Sequence, residues 1–86
     1  MHLMTFHVYI LRSETSGRFY VGQTKNLAER VAYHNANYSK SLKNRGPWRL
    51  VHNEPYATRT EALKREIYIK RQKDRRFIEA LLSASR

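Results

Sequence analysis

Glu66 stands where a carboxylate is hard to place. At about 100° per residue, Ala62, Leu63, Ile67 and Ile69 trace an apolar arc along one helical stretch, and Glu66 falls inside it. An unpaired carboxylate is costly to bury, so the position calls for a cation. Lys70, one turn later in the favourable acid-before-base order, is one candidate. A divalent ion such as Mg²⁺, which binds through one or two carboxylates, water and phosphate oxygens, is the other. Arg30 and His34 lie one turn apart beside a Leu27–Val31 stripe. A guanidinium there can grip a phosphate through paired hydrogen bonds, and an imidazole can orient water or relay a proton. Taken singly, Arg30 suits a surface salt bridge and His34 a half-buried structural ring. Tyr9 and Tyr20 add two phenols on neighbouring strands. They share a face if Leu11 lies opposite Tyr20, and a slip of one residue separates them.

These groups need a scaffold, and the chain signals one. Thr5 to Arg12 alternates Phe6, Val8 and Ile10 with His7, Tyr9 and Leu11 and reads as a strand. The turn-forming stretch 13–17 and a short strand from Arg18 to Gly22 complete a hairpin. Asn26 caps a helix, with Glu29 as its capping-box partner. Asn35 to Pro47 is polar and basic, a loop, and Trp48 to His52 is a third strand closed by Asn53-Glu54-Pro55. Thr58 or Thr60 opens a helix that reaches about Gln72, and Asp74 caps a last helix carrying Phe77, Ile78, Leu81 and Leu82. The order ββαβαα predicts an α+β fold, a small three-stranded antiparallel sheet flanked by helices, in a single domain over 1–86.

Charge supplies the partner. Seventeen Lys and Arg against seven Asp and Glu give a formal net charge of +10 and a pI near 10.4. Such an excess in so short a chain is the electrostatic footprint of a polyanion binder. Lys25, Lys40, Lys43, Arg45 and Lys70 are the cations placed to track a nucleic-acid backbone, with Tyr38 and Trp48 available for stacking. Cysteine is absent, which excludes disulfides, thiolate metal sites and a cysteine nucleophile, and makes the cytoplasm the expected location. No apolar run approaches a membrane span, so no membrane partner is expected. The remaining histidines, His2, His7 and His52, lack metal-ligand spacing.

The joint pattern is more specific than any one residue. Val8-Tyr9, then Tyr20-Val21-Gly22, then Arg30 and His34, then a helix carrying Glu66, resembles the GIY-YIG endonuclease superfamily, in particular its small single-domain branch. The resemblance runs from about Phe6 to Lys73 and is densest from Tyr20 to Arg30. It implies a phosphodiesterase dependent on Mg²⁺ or Mn²⁺ that acts on nucleic acid, with DNA the favoured substrate. In that scheme Tyr9 deprotonates or positions the attacking water, aided by a cation that lowers its pKa. Tyr20 holds water or phosphate, Arg30 grips the scissile phosphate, His34 assists, and Glu66 binds the metal. Two departures stand out. His7 replaces the glycine that opens the first half-motif, and no asparagine follows Asn53, which leaves Gln72 as a substitute from another position. The alternative is a non-catalytic nucleic-acid-binding or interaction module of the same fold. Its small size also suits work beside a larger DNA-processing protein.

Overall fold

The computed structural model describes residues 5–36, 45–72 and 74–84. Its elements are β1 (Phe6–Ser13), β2 (Phe19–Thr24), α1 (Leu27–Asn35), β3 (Trp48–Tyr56), α2 (Arg59–Gln72) and α3 (Arg75–Ala84). The strands form one antiparallel sheet in the order β2-β1-β3, so the first strand is the central one. This is the predicted ββαβαα arrangement.

Strand alternation sorts the side chains of β1 onto two covered faces. Phe6, Val8 and Ile10 join Val21, Ala62 and Ile69 in one cluster, against which Phe77, Ile78 and Leu81 of α3 also pack. Tyr9 and Leu11 join Trp48 in the other, against Leu27 and Val31 of α1. Helices on both sides explain why Val8, Tyr9, Ile10 and Leu11 are all buried in succession, rather than on alternate positions.

The strand ends run past the sequence-based limits. β2 continues to Thr24, and β3 continues through Asn53-Glu54-Pro55 to Tyr56. Proline is tolerated there because β3 is an edge strand, where a missing ladder donor costs least. A register shift between Ile10 and Leu11, which pair with His52 and Leu50, makes Val51 the extra residue of a bulge. Asn35, expected in the loop, ends α1 instead. Its amide donates to the Trp48 carbonyl (2.9 Å) and accepts from the Trp48 N–H (2.7 Å), tying α1 to the start of β3.

Each helix starts on a side-chain cap. Asn26 Oδ1 accepts from the Glu29 N–H and its amide donates back to the Glu29 carboxylate. Thr58, not Thr60, plays that part for α2 with Glu61. Asp74 accepts from the Arg76 N–H at the start of α3. The apolar arc expected on α2 is only partly correct. Ala62 and Ile69 are buried, whereas Leu63 and Ile67 are 44% and 40% exposed. The helix is rotated so that the Ala62–Glu66–Ile69 row, spaced four and three residues apart, faces the sheet. No helix among the described residues is long and apolar enough to cross a membrane.

Candidate active site

Hairpin register decides whether the two phenols meet. Leu11 pairs with Tyr20 and Tyr9 with Gly22, so both tyrosines leave the sheet on the α1 side, ring centroids 6.3 Å apart. Gly22 is the residue that lets Tyr9 lie down across β2. A Cβ at that position would stand 2.5 Å from the Tyr9 Oη and 3.2 Å from the Tyr20 ring. Any side chain there must push the phenol away.

α1 delivers His34 onto the same spot. Its ring is 3% exposed, lies edge-on to Tyr20 at 5.2 Å, and sets Nε2 3.1 Å from the Tyr9 Oη. Burial, reinforced by the nearby Arg30 charge, lowers the His34 pKa, so the ring is neutral at pH 7. The Tyr9 phenol, 2% exposed, moves the other way. Burial raises its pKa well above 10, Tyr20 and Glu66 raise it further, and Arg30 opposes them without prevailing. Tyr9 therefore keeps its proton and donates it to Nε2, which places the imidazole proton on Nδ1. That nitrogen is buried with no partner. The reverse tautomer would leave two orphaned groups, the phenol O–H and Nδ1, instead of one. Of the two cations expected to make Tyr9 acidic, the Arg30 guanidinium acts in that direction but is outweighed by desolvation.

Arg30 is exposed, stacks over Tyr33 (5.4 Å to the ring centroid), and lines a recess with Thr24, Lys25, Asn26 and Glu29. Lys25 is thereby brought to Arg30. Glu66 is partly shielded, with its side chain 13% exposed, and its Oε2 accepts from Lys70 Nζ at 2.5 Å. Lys70, one of the two candidate cations, is thus in contact with Glu66. Lys70, expected to grip a backbone, is held by this pair while half of its side chain remains in solvent. Glu66 is nonetheless near enough to act on the Tyr9 phenol, as Arg30 does. Four groups predicted to act together therefore converge on Tyr9: Tyr20 and His34 by contact, Arg30 and Glu66 through their charge.

The remaining cations are dispersed. Arg45 belongs to the hairpin end of the sheet, where its carbonyl accepts from Ser13 Oγ at 2.7 Å. Lys40 and Lys43 lie outside the described residues. A metal would find one carboxylate here, and no group of three or more metal-ligating side chains exists among the described residues. That donor set fits a hard cation bound through Glu66 and completed by water and substrate oxygens, and it fits no all-protein cage.

Sequence reasoning passed over a second polar centre on the opposite face. Glu54 accepts from His52 Nε2 (2.8 Å), Tyr56 Oη (2.7 Å) and both Nε and Nη2 of Arg65 (2.8 and 3.2 Å). Burial alone would raise the Glu54 carboxyl, but the hydrogen bonds from Arg65, His52 and Tyr56 overcome it and hold the pKa down to about 2. The signal available in the sequence was the alternation His52-Glu54-Tyr56, which is hidden once the strand is ended at His52.

Comparison with known proteins matches residues 5–78 to the GIY-YIG catalytic domain. UPF0213 proteins of Staphylococcus aureus strains Mu3 and Mu50 are 43% identical over 76 residues, covering 84% of this chain and 92% of theirs. The solution NMR structure of a UPF0213 protein from Bacillus halodurans superposes with a TM-score of 0.59 at 33% identity, covering 94% of this chain and 85% of that one.

Proposed function

The chain belongs to the GIY-YIG family, whose catalytic domain implies nuclease-type activity and nucleic-acid binding, and on that premise we propose that it is a metal-dependent endonuclease that hydrolyses DNA phosphodiester bonds. The observation that carries this reading is the convergence on Tyr9: a neutral imidazole in hydrogen-bond contact, a second phenol tilted beside it, and a cation and an anion both acting on the same phenol.

Hydrolysis requires a proton to leave the attacking water while negative charge grows on the phosphate. Tyr9 takes that proton only as it passes its own to His34 Nε2, so the pair accepts one proton without forming a free phenolate. Burial and Arg30 oppose an imidazolium. A phosphate seated on Arg30 offsets the second of these, which makes His34 a better acceptor when substrate is bound. Tyr20, half-buried beside the more enclosed Tyr9, holds the water or phosphate against it. Glu66 would hold Mg²⁺ or Mn²⁺ on exchange of its Lys70 contact, and the bound ion would supply Lewis-acid polarisation and leaving-group stabilisation. Released from Glu66, Lys70 becomes available to the backbone, alongside Lys25.

The test is nicking of several DNA and RNA forms with Mg²⁺ or Mn²⁺, comparing the wild type with Glu66→Ala and Tyr9→Phe. Metal-dependent cleavage lost in both variants is the expected result. Cleavage indifferent to both changes marks a contaminant and overturns the enzyme. Salt-sensitive binding with no cleavage of any form would favour the binding module, whose support is the direct Glu66–Lys70 ion pair.

A further inference from the structure

Arg12 and Arg49 present a puzzle of like charge. They are direct partners across β1 and β3, an arrangement that destabilises a sheet, and neither makes an ion pair among the described residues. Both are exposed and line one recess at the hairpin end. On its other side Arg12 pairs with Phe19 of β2, over whose ring its guanidinium lies 5.8 Å from the centroid. Arg75, the first residue of α3, stacks on the same ring at 4.7 Å. Its Nη1 donates to the Gly17 carbonyl at 2.9 Å. Nη2 of Arg75 and of Arg12 both come within 4 Å of one point above Gly17.

Three guanidiniums, those of Arg75, Arg12 and Arg49, thus gather at this end of the sheet, the first two over the Phe19 ring. Two carboxylates are near. Glu79 pairs with Arg75 at 2.8 Å, and Glu14 lines the recess. Neither neutralises Arg12 or Arg49 by direct contact.

We infer that this arginine row is a second nucleic-acid-binding surface, one that takes backbone phosphates and is separate from the Tyr9 site. A guanidinium held over an aromatic ring, as Arg12 is over Phe19, loses little freedom on binding, which suits paired contacts to phosphate oxygens, while Arg75, whose Nε and Nη1 are engaged by Glu79 and Gly17, adds its charge beside it. A phosphate between Arg12 and Arg49 removes the repulsion that the empty sheet retains. Phe19 belongs to the cluster beneath α2 and α3, whereas Tyr9 packs on the α1 side, so the row lies on the other face of the sheet from Tyr9 and His34. The inference rests on the nucleic-acid half of the proposed function and is independent of cleavage.

The test is fluorescence-anisotropy binding of a labelled 30-base-pair duplex in EDTA across a NaCl series. It compares the wild type with Arg12→Ala/Arg49→Ala and with the single Arg49→Glu, and melting temperature is measured in parallel. Each phosphate contact contributes roughly 0.9 to the log–log salt slope. The double variant should therefore flatten the slope by about one to two units and bind about tenfold more weakly near 0.1 M salt. Its melting temperature should stay level or rise, because a like-charge pair is gone. If the double variant fails to fold, Arg49→Glu on the edge strand decides by the same readout. A wild-type slope in either folded variant overturns the inference. So does wild-type duplex binding accompanied by loss of sedimentation with phosphatidylglycerol vesicles, which would assign the row to a membrane surface. Because no metal is present, a protein that never cuts still passes or fails this test.

Discussion

Two polar clusters of the molecule carry the same four residue types and use them in opposite ways. Around Tyr9, His34 is in contact while Arg30 and Glu66 act on the phenol by charge; around Glu54, Tyr56, His52 and Arg65 all donate to the carboxylate. The Glu54 set is saturated. Its carboxylate meets three donors, and every charge has its opposite at contact distance. Among the described residues the Tyr9 set is left open, with an orphaned Nδ1, a guanidinium in no ion pair and a carboxylate held by a half-exposed lysine. A saturated polar cluster pins elements together, and an open one keeps capacity for a ligand. Composition alone cannot tell the two apart; satisfaction of their hydrogen bonds can.

That contrast can be broken in graded steps. Glu66→Gln should lower metal-dependent cleavage by about 10³-fold, roughly 4 kcal/mol of transition-state stabilisation, while leaving the melting temperature within a few degrees. Single-turnover nicking and a thermal melt on the same preparation check it. On the other face, Glu54→Ala strands Arg65 and should cost about 3 kcal/mol, a fall on the order of 15 °C for a domain of this size. At a temperature where the variant is folded, its cleavage rate should match the wild type. An Arg65→Ala/Glu54→Ala pair that is no more destabilised than Glu54→Ala alone would sharpen the point.

Tyr9→Phe should cost about 10²-fold in cleavage, near 2.7 kcal/mol, and about 1 kcal/mol in urea stability, because the ring is retained while the buried His34 Nε2 loses its donor. The smallest effect is on pH dependence. The Glu54 carboxyl is held at about 2 against an ordinary 4.5. A depressed carboxylate stabilises the fold above its unfolded value, and that contribution is lost as pH falls from 4.5 towards 2. The sign follows because the unfolded chain then binds the extra proton. Urea titrations should show the wild type losing about 2 kcal/mol over that window, and Glu54→Gln losing correspondingly less.

Much of this molecule was legible from the chain because the signals are local. Asn26–Glu29 and Thr58–Glu61 mark helix starts by spacing alone, and the alternation of Phe6, Val8 and Ile10 marks a core face. The facing of Tyr9 and Tyr20 could be stated as a condition on register but not resolved, since a hairpin with a longer loop permits neighbouring registers. The misread parts share one cause, which is that tertiary packing overrode a local rule. Pro55 ends a strand in isolation but sits in β3 because that strand is at the edge. Leu63 and Ile67 define an apolar arc, yet α2 turns toward Arg65 and Glu66 because Glu54 on β3 anchors the helix from the opposite strand. The protonation of Tyr9 depended on burial, which a sequence does not quantify.

Trp48 gives the molecule an optical asymmetry. It is the chain's one tryptophan, and it is buried with Leu11 and Tyr9 while Asn35 clasps its backbone. Intrinsic emission therefore watches the α1 side of the sheet alone, and far-UV ellipticity is dominated by α2 and α3 on the other side. A red shift that precedes the loss of ellipticity would mean that the reacting side can loosen while its counterpart stays assembled. The chain carries its own dye for finding out.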